Sequence, residues 1–228
     1  METINQVFDK FLADESRRLK KTTLNKYRQV MELFGDYMNS YAHNYLKKEE
    51  GELFREQYRA GNEFCEIFGP EKITGCEIQE FLSYFMIRKV VSSSALMKNT
   101  RTVMRRFITW LKDSSYIDIQ EFESFQAIVS DLKDDLPQVV ELRDLLVDEG
   151  NKNNPHQFEA YEEGYFLIHK VEAGRLWLED YMGSDLKIGP VVVSKTTSSL
   201  AKVGWAAYLK LGRRNGKWYI IESGNVYP

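Results

Sequence analysis

Apolar residues recur at helical spacing through the first half of the chain. Val7, Phe8, Phe11 and Leu12 mark a first stripe, which Asp14, Glu15 and Ser16 interrupt. Leu24, Tyr27, Val30, Met31, Phe34, Tyr37 and Met38 then follow the i, i+3, i+4, i+7 rule, and Thr22 or Thr23 is placed to cap that helix. A third helix is expected from about Lys48 to Phe68, weak in its middle because of Gly61 and ended by Gly69-Pro70. Thr74 followed by Glu77 is a capping-box pattern, and Ile78, Phe81, Leu82, Tyr84, Phe85 and Ile87 supply the apolar residues behind it. Ser92 to Ser94 read as a break. Val103, Met104, Phe107, Ile108 and Leu111 then share one helical face, while Lys98, Arg101, Arg105 and Lys112 fall near one another on the other side.

Between residues 119 and 149, Phe125, Val129, Leu132, Leu136, Val139 and Leu146 alternate by four and three, with Arg143 at the missing step. Proline is tolerated only near a helix start, so Pro137 predicts two helices rather than one rod. The run is shorter than the three to four heptads of a sustained coiled coil. It either packs back on its neighbours or makes a short self-association contact. After the polar linker Gly150 to Gln157 the pattern changes to strands. They are expected near Gly164–Val171, Arg175–Tyr181, Pro190–Ser194, Trp205–Leu211 and Lys217–Glu222, with turns at Gly174, Gly183, Gly189, Gly204 and Gly216. Asn215-Gly216 within "RRNGK" is the strongest hairpin signal.

These elements predict an α+β multidomain chain. A helical bundle occupies residues 1–118, an acidic helical connector and linker residues 119–156, and a small β-barrel of SH3-like or OB-like kind residues 157–228. The 228 residues and 43% hydrophobic content are sufficient for real cores. No apolar run approaches the ~20 residues of a membrane span. The opening stretch lacks a signal-peptide core, so a cytoplasmic protein without a membrane partner is expected. Cys65 and Cys76 are too far apart for a CxxC motif and read as two reduced thiols.

Charge changes this picture. The net charge is −3, yet it is sorted along the chain. Arg17, Arg18, Lys20, Lys21, Lys26 and Arg28 lie in one acid-free stretch. Arg88, Lys89, Lys98, Arg101, Arg105, Arg106 and Lys112 lie in another. From Asp113 to Glu149 acids dominate, broken only by Lys133 and Arg143. Sorted charge points to a surface with a task or to a solvated segment.

"KKTTLNKYRQVMELFGDYM" and "KITGCEIQEFLSYFMIRKVVSSSALMKNTRTVMRRFITWLKDSSYI" together resemble the core-binding, SAM-like helical domain of tyrosine recombinases and phage-type integrases. The matching positions are Thr23, Tyr27, Phe34, Ile73, Thr74, Ile78, Phe81, Thr100, Phe107 and Leu111, within about the first half of the chain. In that family the domain forms half of a clamp on duplex DNA. The resemblance therefore implies DNA contact by Arg17, Arg18, Lys20, Lys21, Lys26, Arg28, Lys98, Arg101, Arg105 and Arg106. The family's catalytic half has no counterpart. Its His-x-x-Arg element is not found in "HNYL", "HQFE" or "HKVE", and the C-terminal half reads as strands. Recombinase chemistry is therefore not expected.

Other chemistry is thinly represented. Trp177, Trp205, Trp218 and Tyr219 could form an aromatic face for bases or peptides, or simply fill a small core. Lys210, Arg213, Arg214 and Lys217 could add a phosphate contact or a solvated turn. His43, His156 and His169 are scattered, so no metal site is expected. Glu49-Glu50, Glu162-Glu163 and Asp134-Asp135 are adjacent in sequence and do not face each other. There is no phosphate-loop, dinucleotide or nucleophile-elbow motif, and no cofactor is implied. The expected function is non-enzymatic binding of double-stranded DNA by the helical domain, with the barrel recognising a second partner. The competing reading is a protein-interaction adaptor that uses residues 119–149 for a protein partner or for self-association.

Overall fold

A computed structural model describes residues 2–90, 93–132, 135–154 and 156–228. The expected break at Ser92, the linker proline Pro155, and Lys133 and Asp134 lie outside the described residues. The chain divides into two compact units, Met1–Met86 with Ala95–Lys133, and Ile87–Ser94 with Asp134–Pro228.

The first unit is helical. Helix α1 (Ile4–Ser16) starts with a capping box: the Thr3 hydroxyl accepts from the Gln6 N–H and the Gln6 amide oxygen accepts from the Thr3 N–H. It runs through Asp14, Glu15 and Ser16, so the expected interruption is instead its last turn. Helix α2 (Lys21–Tyr41) starts two or three residues earlier than expected, with Lys20 at the cap and no side-chain capping bond, so Thr22 and Thr23 lie inside it. The helix expected over Lys48 to Phe68 is two pieces, α3 (Lys48–Arg59) and α4 (Phe64–Ile67). Gly61 separates them at φ +95°, a left-handed conformation that continues no helix.

Thr74 caps α5 (Gly75–Glu80) through the expected box with Glu77. The helix continues as a π turn over Phe81–Phe85 and ends in α6 (Met86–Arg88). Helix α7 (Ser94–Asp113) and α8 (Ile119–Asp131) complete the unit.

The aromatic stripes meet in one core. Phe8, Phe11, Phe34 and Phe107 are buried, with ring centroids 5.6 Å apart for Phe8–Phe34 and 5.0 Å for Phe11–Phe107. Each such side chain contributes roughly 1.5–3 kcal/mol by leaving water. The predicted apolar face of α7 is buried at every one of its five positions.

The second unit holds five strands among its described residues: β1 (Ala160–Glu172), β2 (Arg175–Asp180), β3 (Lys187–Val192), β4 (Ala206–Arg214) and β5 (Lys217–Tyr227). β1 pairs antiparallel with β2 and with β4, β2 with β3, and β4 with β5, while β3 and β5 run parallel. Asn215 and Gly216, both at positive φ, turn β4 into β5 where the sequence places the hairpin. Gly189 is not a turn; it lies inside β3 against the Trp177 ring.

Two further helices accompany the sheet. Helix α9 (Asp135–Asn151) carries Pro137 in its first turn, as expected. It packs on β5, and a methyl group on Gly150 would stand 2.7 Å from the Ile221 carbonyl oxygen. Helix α10 (Lys195–Leu200), between β3 and β4, has no counterpart in the sequence reading. The acidic stretch is therefore shared out: α8 packs on α5 in the helical unit and α9 on β5 in the sheet unit. Phe125, Val129, Leu136, Val139 and Leu146 are buried, so the heptad-like positions are spent on these cores. A contact between chains through residues 119–149 would have to use their polar positions or the exposed Ile119 and Val147.

Candidate nucleic-acid interface

Helix α7 buries one side and leaves the other basic. Arg101, Arg105 and Thr109 are spaced by four, and Thr102, Arg106 and Thr109 by four and three, which places all five on one broad helical stripe. They line a depression of about 270 Å³. The Thr102 hydroxyl donates to the Lys98 carbonyl and the Thr109 hydroxyl to the Arg105 carbonyl, each at 2.9 Å. Gln126 of α8 reaches this helix, its amide donating to the Arg105 carbonyl at 3.1 Å. The Arg101 Nε–H is buried with no hydrogen-bond partner among the described residues. No carboxylate pairs with Arg101 or Arg105 among the described residues.

Arg106 is held differently. Its Nε donates to Glu15 Oε1 at 2.7 Å, and Glu15 is 1% exposed. Arg18 donates to the other oxygen of the same carboxylate. Beside this pair, Trp110 Nε1 donates to Asp14 at 3.0 Å, and Arg17 pairs with Asp14 at 3.2 Å. The last turn of α1 is thus a pair of carboxylates clasping α7.

The ten basic residues expected on DNA are not one surface. Arg101, Arg105 and Arg106 come together, and Arg18 joins Arg106 through Glu15. Arg17 is partly neutralised by Asp14. Lys20, Lys21 and Lys26 are exposed at the α1–α2 turn and along the start of α2, and Lys98 is exposed but does not line the depression. Arg28 belongs elsewhere. It lines a separate groove of about 500 Å³ between α1 and α2 whose other charged residues, Asp9, Glu32, Asp36 and Glu63, are all acids. A phosphate would be repelled there.

Sequence reasoning missed Glu15 and Asp14. The signal was present: Glu15 lies four residues after Phe11 and seven after Phe8, so an acid occupies a step of the apolar stripe. Nothing local, however, names its partners.

In the sheet unit the four expected aromatics do not share a face. Trp205 is buried, 4% exposed. Lys170 lies over Trp177, with Nζ 4.7 Å from the ring centroid. Arg214 stacks near Tyr219 and Phe158, at 5.2 and 5.5 Å, and Arg213 lies 5.8 Å from Trp218. A tyrosine group went unnoticed in the sequence. Tyr165 lies 5.3 Å from Tyr208, its cross-strand partner, 6.2 Å from Tyr227 and 6.4 Å from Tyr181. Tyr208 donates to Glu163, which raises the tyrosine pKa and lowers that of the carboxylate. Lys210, expected as a possible phosphate contact, pairs with the same Glu163 at 3.4 Å.

The histidines stay apart: His43 stacks on Phe54 and His169 faces Glu179 at 3.3 Å. Among the described residues no group of three or more His, Cys, Asp or Glu could hold a metal ion. No helix among them is long and apolar enough to cross a membrane. Both cysteines are free; Cys65 is buried, which pushes its thiol up to about 12, and Cys76 is exposed.

No protein-family model, no curated protein and no solved structure matches the chain at a significant level.

Proposed function

We propose that this chain is a non-enzymatic DNA-binding protein whose helical unit, read as an integrase-like core-binding domain, meets duplex DNA with the basic stripe of α7. The observation that carries this reading is the α7 depression, where three arginines converge and one of them has a buried, unpaired Nε–H. Like charges three or four residues apart on a helix cost a few tenths of a kcal/mol per pair. An anion relieves that cost. The exposed Lys20, Lys21 and Lys26 add positive charge of the kind that follows a phosphate backbone. The net −3 of the whole chain opposes tight non-specific binding, so the affinity expected is modest and strongly salt-dependent.

The sheet unit is read as a small OB-like barrel that recognises a second partner. The strand order β1-β2-β3-β5-β4, with β4 pairing back to β1 and a helix between β3 and β4, supports it. The grouped tyrosines give that unit an aromatic surface suited to a protein or nucleic-acid contact.

The test is fluorescence anisotropy of a labelled duplex with the full chain across a salt series. Each phosphate neutralised, one at the α7 depression and others along Lys20, Lys21 and Lys26, adds roughly −0.9 to the log–log slope. Arg101→Gln/Arg105→Gln, which removes the α7 contact, should make the slope shallower by about one without lowering the thermal melt. Absence of binding at low salt would refute the DNA reading.

A further inference from the structure

We infer that the α7 depression is a discrete seat for one phosphate group, rather than one patch of a diffuse basic surface. The argument deepens the DNA reading above, but the geometry applies to any phosphate oxyanion, whether a backbone phosphodiester or a free polyphosphate.

Three features distinguish a seat from a patch. The first is the Arg101 Nε–H, buried without an acceptor among the described residues. A buried N–H left unpaired is costly, and a turn of the Arg101 side chain that brings it to an anion oxygen in the depression removes that cost. The second is Arg106. Its Nε is engaged by the buried Glu15 carboxylate at 2.7 Å, which fixes the guanidinium. Its terminal amino groups have no partner among the described residues. The third is size. About 270 Å³ holds several waters at roughly 30 Å³ each, or one tetrahedral oxyanion with part of its hydration. Arg105, with no carboxylate partner among the described residues, supplies a further charge at the rim. Thr102 and Thr109 donate their protons to backbone carbonyls, so towards an anion their oxygens are acceptors only. The arginines must therefore do the binding. Planar guanidinium donors match phosphate oxygens, whereas a lysine supplies only a point charge.

This yields a test in which total charge does not change. Arg101→Lys keeps the charge and removes the Nε donor. A seat predicts roughly tenfold weaker duplex binding for Arg101→Lys, the loss of about one charge-assisted hydrogen bond. A diffuse surface predicts binding equal to wild type, which would overturn the seat while leaving the DNA reading intact. The second arm follows the arginine Nε–H resonances of the full chain by NMR during titration with pyrophosphate. The Arg101 signal, assigned by its loss in Arg101→Lys, should shift saturably. If the duplex does not bind but this signal shifts, the seat stands for a free polyphosphate and the DNA reading falls. If neither happens, both are overturned.

Discussion

Arg106 Nε donates to Glu15 Oε1 across 2.7 Å, although the two residues are 91 positions apart in the chain. The carboxylate is 1% exposed, while Arg106 is 35% and Arg18 is 49% exposed. The acid is the buried partner, and the bases reach it from water. Glu15→Ala should therefore cost about 1–2 kcal/mol, less than the 3–5 kcal/mol of stranding a buried charge, because both arginines can rehydrate. Arg106→Ala leaves Glu15 buried with Arg18 alone. Urea denaturation compares the variants, and a Glu15→Ala protein as stable as wild type would refute this account of the clasp.

The close approach of α9 and β5 depends on Gly150. Alanine is normally favoured over glycine inside a helix by about 1 kcal/mol. Here its methyl would stand 2.7 Å from the Ile221 carbonyl oxygen, and neither backbone can yield without moving the helix. Overpacking of this kind costs about 1–3 kcal/mol. Gly150→Ala should be destabilising despite its helix propensity, read as a lower denaturation midpoint. A gain in stability would show that α9 slides freely on β5.

Glu149 joins α9 to the start of α10. It is buried, which alone would raise its pKa. The Ser194 N–H at 2.8 Å, Lys152 at 3.0 Å and the Thr197 hydroxyl at 2.9 Å outweigh burial and hold the carboxyl below its ordinary 4.5. A carboxyl depressed in the folded state stabilises above its unfolded pKa, and that contribution is lost as pH falls through the folded value. Wild type should be more stable than Glu149→Gln at neutral pH by about 1–2 kcal/mol, with the gap closing below pH 4.5. Denaturation of both proteins at a series of pH values reads it; a gap that widens in acid would reverse the sign of the argument.

The β4–β5 hairpin turns on Asn215 at φ 51° and Gly216 at φ 71°. Gly216→Val requires a β-branched residue in the left-handed region and should cost at least about 1–2 kcal/mol, while Asn215→Gly should stay within about 0.5 kcal/mol of wild type. Thermal melts of the two variants separate them. Equal melts would mean that the turn does not hold the register.

Much of this molecule was legible because it rests on short-range physics. The buried faces of α2 and α7 follow from helical spacing, and every residue assigned to them is in the core. The Thr74–Glu77 cap, the Pro137 helix start and the Asn215-Gly216 turn each need only three or four neighbouring residues. Missed boundaries share a cause. The first turn of α2 forms without a capping side chain, and α10 is too short and polar to carry a periodic signal.

The candidate site divides along the same line. The sequence alone determined that α7 has an apolar face and a basic one, because helix geometry links residues three and four apart. It also determined where positive charge collects along the chain. Only the tertiary structure decided which of those charges meet. Arg28 and Arg106 look equivalent in the sequence, yet one is placed among Asp9, Glu32, Asp36 and Glu63 and the other against Glu15. Trp205 and Trp177 look equivalent as well, yet one is in the core and the other lies beneath Lys170. Residues far apart in the chain become neighbours only when whole faces pack, and local periodicity does not encode which faces those are.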